Sequence, residues 1–198
     1  LRVQWWWMVL AVVVSALACQ AATLVLPDEA QNQRGVGGVG VVGSESVRWQ
    51  QIYYAEKLHP SMPNGALITG ISLRNNDTSL GDIDAAIEKV EVVISTTARR
   101  GNSLSPVFAS NYGPDSVTVY SQGPVHWVLP HVPNGISPFG AAIPFASPYF
   151  YDPNQGNLLI ELRLLRGLGS RPFSVDAHSR RAGPEGESFI FQTGGRPD

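Results

Sequence analysis

Glycine and proline interrupt this chain along its whole length, and the segments between them are short, β-branched and alternating. With 20 Gly and 15 Pro in 198 residues, breakers recur too often for long helices and suit many short strands joined by turns. Residues 49–55, Trp-Gln-Gln-Ile-Tyr-Tyr-Ala, are aromatic and β-prone. Residues 66–74 alternate, which predicts a strand with Leu67, Thr69, Ile71 and Leu73 on one face. The run from Val90 to Thr97 contains Glu91 but is otherwise β-branched or hydroxylic. Branching at Cβ costs side-chain freedom in a helix, so a strand is predicted over 88–96. Further strands are expected at 116–120, 125–129, 140–145, 158–164, 173–176 and 188–192. Ser105, Pro106 and Gly113 carry the start and stop signals of one short helix near 105–112.

Eight to ten such strands predict an all-β fold, an antiparallel β-sandwich of jelly-roll type with one short helix. Its core is expected to include Ile52, Leu67, Ile71, Val92, Ile94, Phe108, Val117, Val119, Leu159, Leu162 and Phe191. Asp152-Pro153-Asn154-Gln155-Gly156-Asn157 spaces its residues as a tight turn, with Asp152 accepting a main-chain N–H and Gly156 at positive φ.

The N-terminal end is of another kind. Arg2 precedes an apolar run, Trp5 to Ala18, that closes on Ala16-Leu17-Ala18. A basic start, a short apolar centre and an A-x-A end are the parts of a secretory signal peptide. The run is about 14 residues, and a spanning helix needs roughly 20, so no membrane span is expected in the mature form. Residues 1–18 are therefore read as a signal peptide, and the location as secreted, extracellular or periplasmic. Cys19 follows the cleavage region, but Ala16 stands where a lipobox has Leu, a poor match for lipidation. Residues 19–46 form a glycine-rich lead expected to be poorly ordered, although its valines suit edge pairing. The domain proper is expected over 47–198. Removing the signal leaves 198 − 18 = 180 residues, one domain by length.

Cys19 is the only cysteine, so an intramolecular disulfide and thiolate zinc sites are excluded. The net charge is −2 and no basic cluster exceeds Arg99-Arg100 or Arg180-Arg181, which leaves no electrostatic footprint for nucleic acid.

Several blocks resemble a group of exported bacterial proteins of unknown function, many ending in a PEP-type C-terminal sorting tail. They are Trp49–Tyr53, Ile68–Arg74, Ile94–Thr97, Leu104–Asp115, Val119–Ser121 and Phe150–Leu159. The resemblance spans about residues 48–165 and implies an extracellular β-rich domain. It supplies no catalytic residues. The closing Gly194–Asp198 departs from that pattern, so no sorting anchor is expected.

The residues themselves single out little chemistry. His59, His126, His131 and His178 lack the spacing that brings metal ligands to one centre. Asn75, Asn76, Asp77, Asp82 and Asp84 are the densest oxygen-bearing group, where calcium would sit if anywhere, yet a polar surface turn explains them. Glu88, Glu91, Glu161 and Asp176 are the acids that a glycosidase would have to pair across facing strands. No G-x-S-x-G or other ordered nucleophile occurs. No catalytic or metal residue is assigned, and no ligand-binding residue is identified. The aromatics Trp49, Tyr53, Tyr54, Tyr112, Tyr120, Trp127, Tyr149 and Tyr151 are chiefly core candidates, with some suited to stacking on sugar rings if exposed. The function expected is an exported non-catalytic module binding a surface or matrix component such as a polysaccharide. The alternatives are a secreted glycoside hydrolase-like enzyme and a purely structural envelope or matrix protein.

Overall fold

A computed structural model describes residues 22–26, 31–33, 37–41, 46–75, 81–165, 173–177 and 188–193. The chain runs β1 (Gly37–Val41), β2 (Val47–Tyr53), α1 (Ala55–Leu58), β3 (Ala66–Arg74), β4 (Ile83–Ile87), β5 (Lys89–Thr97), β6 (Val117–Gln122), β7 (Val125–Leu129), β8 (Phe139–Tyr151), β9 (Asn157–Leu165), β10 (Phe173–Ala177) and β11 (Ser188–Thr193). Two 3-10 turns, Gly101–Ser103 and Phe108–Asn111, lie between β5 and β6. The architecture is all-β and antiparallel throughout. One sheet has the order β11-β2-β9-β5-β6, and three two-stranded ladders join β1 to β10, β3 to β8 and β4 to β7. The jelly-roll expectation is finer than these ladders specify. The signal-peptide residues, Cys19, Asn76, Asp77 and His178 lie outside the described residues, as do the side chains of Asp176 and Phe191.

One contiguous core draws on every sheet. Alternate residues of the central strands supply one side, for example Trp49 and Val92 on either side of Leu162 in register. Ile83, Ala85 and Ile87 of β4, Trp127 and Leu129 of β7, and Ile143, Tyr149 and Tyr151 of β8 enter the same cluster. Burying each such side chain stabilises by about 1.5–3 kcal/mol, which is why the period-2 pattern selects these faces over any propensity.

Four sequence expectations are corrected. Leu67 is exposed because pairing between β3 and β8 jumps from Ile68↔Tyr149 to Gly70↔Pro144. The bulge exchanges faces, so Ala66 and Ile68 turn inward before it and Ile71 and Leu73 after it. Val117 opens the edge strand β6 and is 45% exposed, lacking a neighbour on its outer side. The helix predicted at 105–112 is only the 3-10 turn Phe108–Asn111, while four residues assigned to a strand end and loop, Ala55–Leu58, make one α-helical turn that buries Leu58. The strand expected over 88–96 is β5, Lys89–Thr97, and a strand that was not expected, β4, precedes it. The chain breaks at Glu88, so that β4 pairs with β7 and β5 with β9.

The glycine-rich lead contains a strand, β1, held against β10 from Gly37↔Ala177 to Val41↔Phe173. Among the described residues no helix is long and apolar enough to cross a membrane.

Candidate functional site

The second face of the five-stranded sheet is polar where its first is apolar. Strand alternation places Arg48 opposite Arg163, and Arg163 opposite Glu91; the next row is Gln50, Glu161 and Val93. The segment 98–116 folds back over this face. Its Phe108 and Asn111 are buried, and Leu104 and Tyr112 pack on a small cluster of Ile52, Tyr54 and Leu159.

Glu161 is the centre of this layer and is completely buried. Arg48 donates to its Oε1 from Nε at 3.0 Å and to Oε2 from Nη2 at 3.3 Å. Arg163 Nε donates to Oε1. Gln50 Nε2 and the Tyr112 hydroxyl each donate to Oε2 at 2.6 Å. A carboxylate offers about four lone-pair positions, and these partners use them all. Gln50 and Asn111 continue the network, with Asn111 Nδ2 donating to Gln50 Oε1 at 2.8 Å and Gln50 Nε2 to the Phe108 carbonyl at 3.1 Å. Arg48 also lies over the Phe108 ring, 4.4 Å from its centroid, a cation–π contact. Burial, then the bond to Glu161, raises the Tyr112 hydroxyl above its ordinary pKa. Arg163 loses some basicity to burial but gains more from Glu161, and ends above its usual value.

A second polar knot ties the same segment to β5 and β8. Asp115 Oδ1 accepts from the Thr96 main-chain N–H at 2.9 Å and from the Thr96 hydroxyl at 2.8 Å, and Oδ2 accepts from the Tyr149 hydroxyl at 2.7 Å. Burial raises the Asp115 carboxyl, yet these bonds outweigh it and hold the group below its usual range. Three stretches far apart in sequence therefore meet in space: Gln50, Thr96, Thr97, Asn111 and Asp115 interlock, and Tyr149 of β8 joins them. Gly113 belongs to the same joint, and a Cβ there would stand 2.5 Å from the Thr96 carbonyl oxygen.

Of the acids suggested for hydrolysis, the three whose side chains are described, Glu88, Glu91 and Glu161, do not converge on a cleft. Glu91 faces Lys89 at 2.7 Å and Arg163 at 3.6 Å, and Glu161 is sealed. Glu88 is exposed beside a shallow polar depression of about 550 Å³ that Lys89, Ser121 and Gly123 also line. The described calcium candidates, Asn75, Asp82 and Asp84, separate as well. Asn75 is buried and donates to the carbonyls of Gly81 and Leu129. Asp82 accepts from the His131 N–H, and Asp84 pairs with His126 at 2.5 Å on an exposed surface. Among the described residues no three His, Cys, Asp or Glu side chains form a metal-holding group.

Six of the eight aromatics considered for stacking are core. Trp49, Tyr54, Tyr120, Trp127, Tyr149 and Tyr151 are buried, and Tyr53 and Tyr112 are half-buried. Among the described residues the exposed aromatics are instead Phe139 and Phe150. Phe150 is 58% exposed and stands opposite Leu67, which is 62% exposed. The signal for Phe150 was present in Tyr149-Phe150-Tyr151, because a strand that buries both tyrosines must turn the phenylalanine out. The partner Leu67 was hidden by the bulge.

The outer face around this pair is unusual in charge. From Leu67, Thr69 and Ser72 on β3 to Ala142, Pro144 and Pro148 on β8, the outward residues are exposed and none is ionisable. Compared with protein-family models, curated proteins and solved structures, the chain matches none.

Proposed function

We propose that this protein is an exported, non-catalytic module that binds a surface or matrix component, of the polysaccharide kind, through the outer face of the β3–β8 ladder. The observation that carries this reading is the cross-strand pair Leu67 and Phe150, both more than half exposed on a face without charge. Exposing two large apolar side chains together is unfavourable in water, and contiguous apolar exposure marks interaction sites. The polar layer around Glu161 supports the non-catalytic half. Its carboxylate is saturated by four side chains and out of reach of solvent, whereas a general acid or base must reach the proton it moves.

The test is a glycan array and an unbiased glycosidase screen on purified protein, with Leu67→Ser and Phe150→Ala alongside wild type. Binding that falls in both variants at unchanged melting temperature is the expected result. Binding indifferent to both substitutions, or turnover of any glycan, would overturn the proposal.

A further inference from the structure

We infer that the ligand of the β3–β8 face is a single extended, uncharged polysaccharide chain lying along the ladder. This rests on the binding-face reading above and adds the ligand's charge and shape.

Charge comes first. An acidic polymer is held by Lys or Arg, and the exposed outward residues of these two strands include neither. Arg74, at the end of β3, is buried, stands over the Phe139 ring at 5.4 Å and donates to the Gln33 carbonyl at 2.9 Å. What the face offers is apolar surface at Leu67 and Phe150 with the hydroxyls of Thr69 and Ser72. A neutral sugar ring presents the same mixture, C–H groups on its faces and hydroxyls on its rim, so the chemistries match without any ion.

Shape comes second. β3 is nine residues long, so the ribbon is about 30 Å long and, for two strands about 4.8 Å apart, about 10 Å wide. That is on the order of 300 Å² of face, against roughly 800 Å² per partner in a standard protein–protein interface. A second copy or a globular partner would find too little area, whereas a polymer chain is itself long and narrow. An added peptide strand is disfavoured too. Pro144 and Pro148 lack N–H groups and the bulge interrupts the regular backbone row.

Affinity electrophoresis of the full protein decides the matter, through gels containing a neutral β-glucan, a neutral galactomannan or alginate. At least one neutral polymer should retard the wild type, equally at low and high salt. Phe150→Ala should weaken that retardation by about tenfold, the scale of one lost aromatic contact. Retardation by alginate alone, relieved by salt and by Phe150→Ala, overturns the neutral-ligand inference and leaves the face as the binding site. Retardation by no polymer, or retardation that survives Phe150→Ala, overturns the inference. If Phe150→Ala also spares every hit on the glycan array, the face itself is excluded. Self-association of the wild type that Phe150→Ala abolishes in sedimentation makes a second copy the occupant and overturns the inference as well.

Discussion

At the scale of single residues, Glu161 keeps two guanidinium groups compatible. Arg48 and Arg163 are neighbours across β2 and β9, and both donate to its carboxylate. Glu161→Ala would leave these cations facing each other, and would take the acceptor of the Tyr112 hydroxyl and one of the two acceptors of Gln50 Nε2. Breaking a buried ion pair from one side costs about 3–5 kcal/mol, and urea denaturation should show a loss of that size. Glu161→Gln keeps the shape and part of the bonding, and should lose less. Gly156 is a separate case. Its φ is +145°, and a Cβ would stand 3.0 Å from the Thr97 carbonyl oxygen. Gly156→Ala should therefore destabilise by about 1 kcal/mol or more while leaving glycan binding intact, measurable as a lower melting temperature with unchanged electrophoretic retardation. The turn around it behaves as its sequence implied. Asp152 accepts the Asn154 N–H at 2.9 Å, and Asn157 reaches beyond its own turn to the Ala55 N–H and the Arg99 carbonyl.

At the scale of elements, segment 98–116 is held to the sheet by polar groups more than by apolar mass. Asn111 uses its whole side chain: Oδ1 accepts the Ser105 N–H at 2.8 Å, and Nδ2 donates to the Ser105 carbonyl and to Gln50. The Asn111 carbonyl accepts from Thr97 at 2.6 Å. Asn111→Ala removes three bonds and strands the Gln50 carbonyl oxygen in a dry site. Each stranded buried group costs about 1–3 kcal/mol. The expected outcome is local opening, with hydrogen exchange accelerated at Ser105 and Gly113 and little change in the amides of β5 and β9. Equal acceleration across the whole sheet would mean that the segment and the sheet unfold as one unit.

At the scale of the whole molecule, ionisable hydroxyls and carboxylates set the pH range of stability. Asp115 and Glu91 are held below their ordinary values, the first by bonds that outweigh its burial and the second chiefly by Lys89. A depressed carboxyl contributes stability above its unfolded pKa and loses it as pH falls through the folded one. Stability should thus decline as acid is added from near pH 4 downward. Tyr149→Phe removes one of the bonds that hold Asp115 ionised, and should move that decline to higher pH. The alkaline side has the opposite sign. Burial, then Asp115, drives the Tyr149 hydroxyl far up, and burial, then Asp152, raises Tyr151 to about 12. Their neutral forms stabilise the fold below an unfolded pKa of about 10, and that contribution is lost as pH rises toward the folded values. Ultraviolet titration of the native protein should show these tyrosines ionising only with alkaline unfolding.

The all-β character was legible because strand periodicity is local. Residues two apart share a face, so β2, β5, β7 and β9 could be read from their own residues, as could the turn at Asp152–Asn157, which Asp152 closes by accepting the Asn154 and Gln155 N–H groups. The buried strand positions Ile52, Val92, Ile94, Val119, Leu159 and Leu162 were likewise read from their own segments. Other features depended on partners far along the chain. Leu67 faces outward only because β8 carries the extra residues of a bulge opposite Gly70. β4 and β5 part at Glu88 because they pair with different strands. Glu161 is a sealed structural anion because Arg48, Gln50 and Tyr112, between 49 and 113 positions away in sequence, close around it. Alternation along the chain thus determined that strands would form and roughly where. Which face each one buries, which acid is locked away and which aromatic meets the solvent were decided by tertiary pairing, since register and bulges are properties of two strands at once.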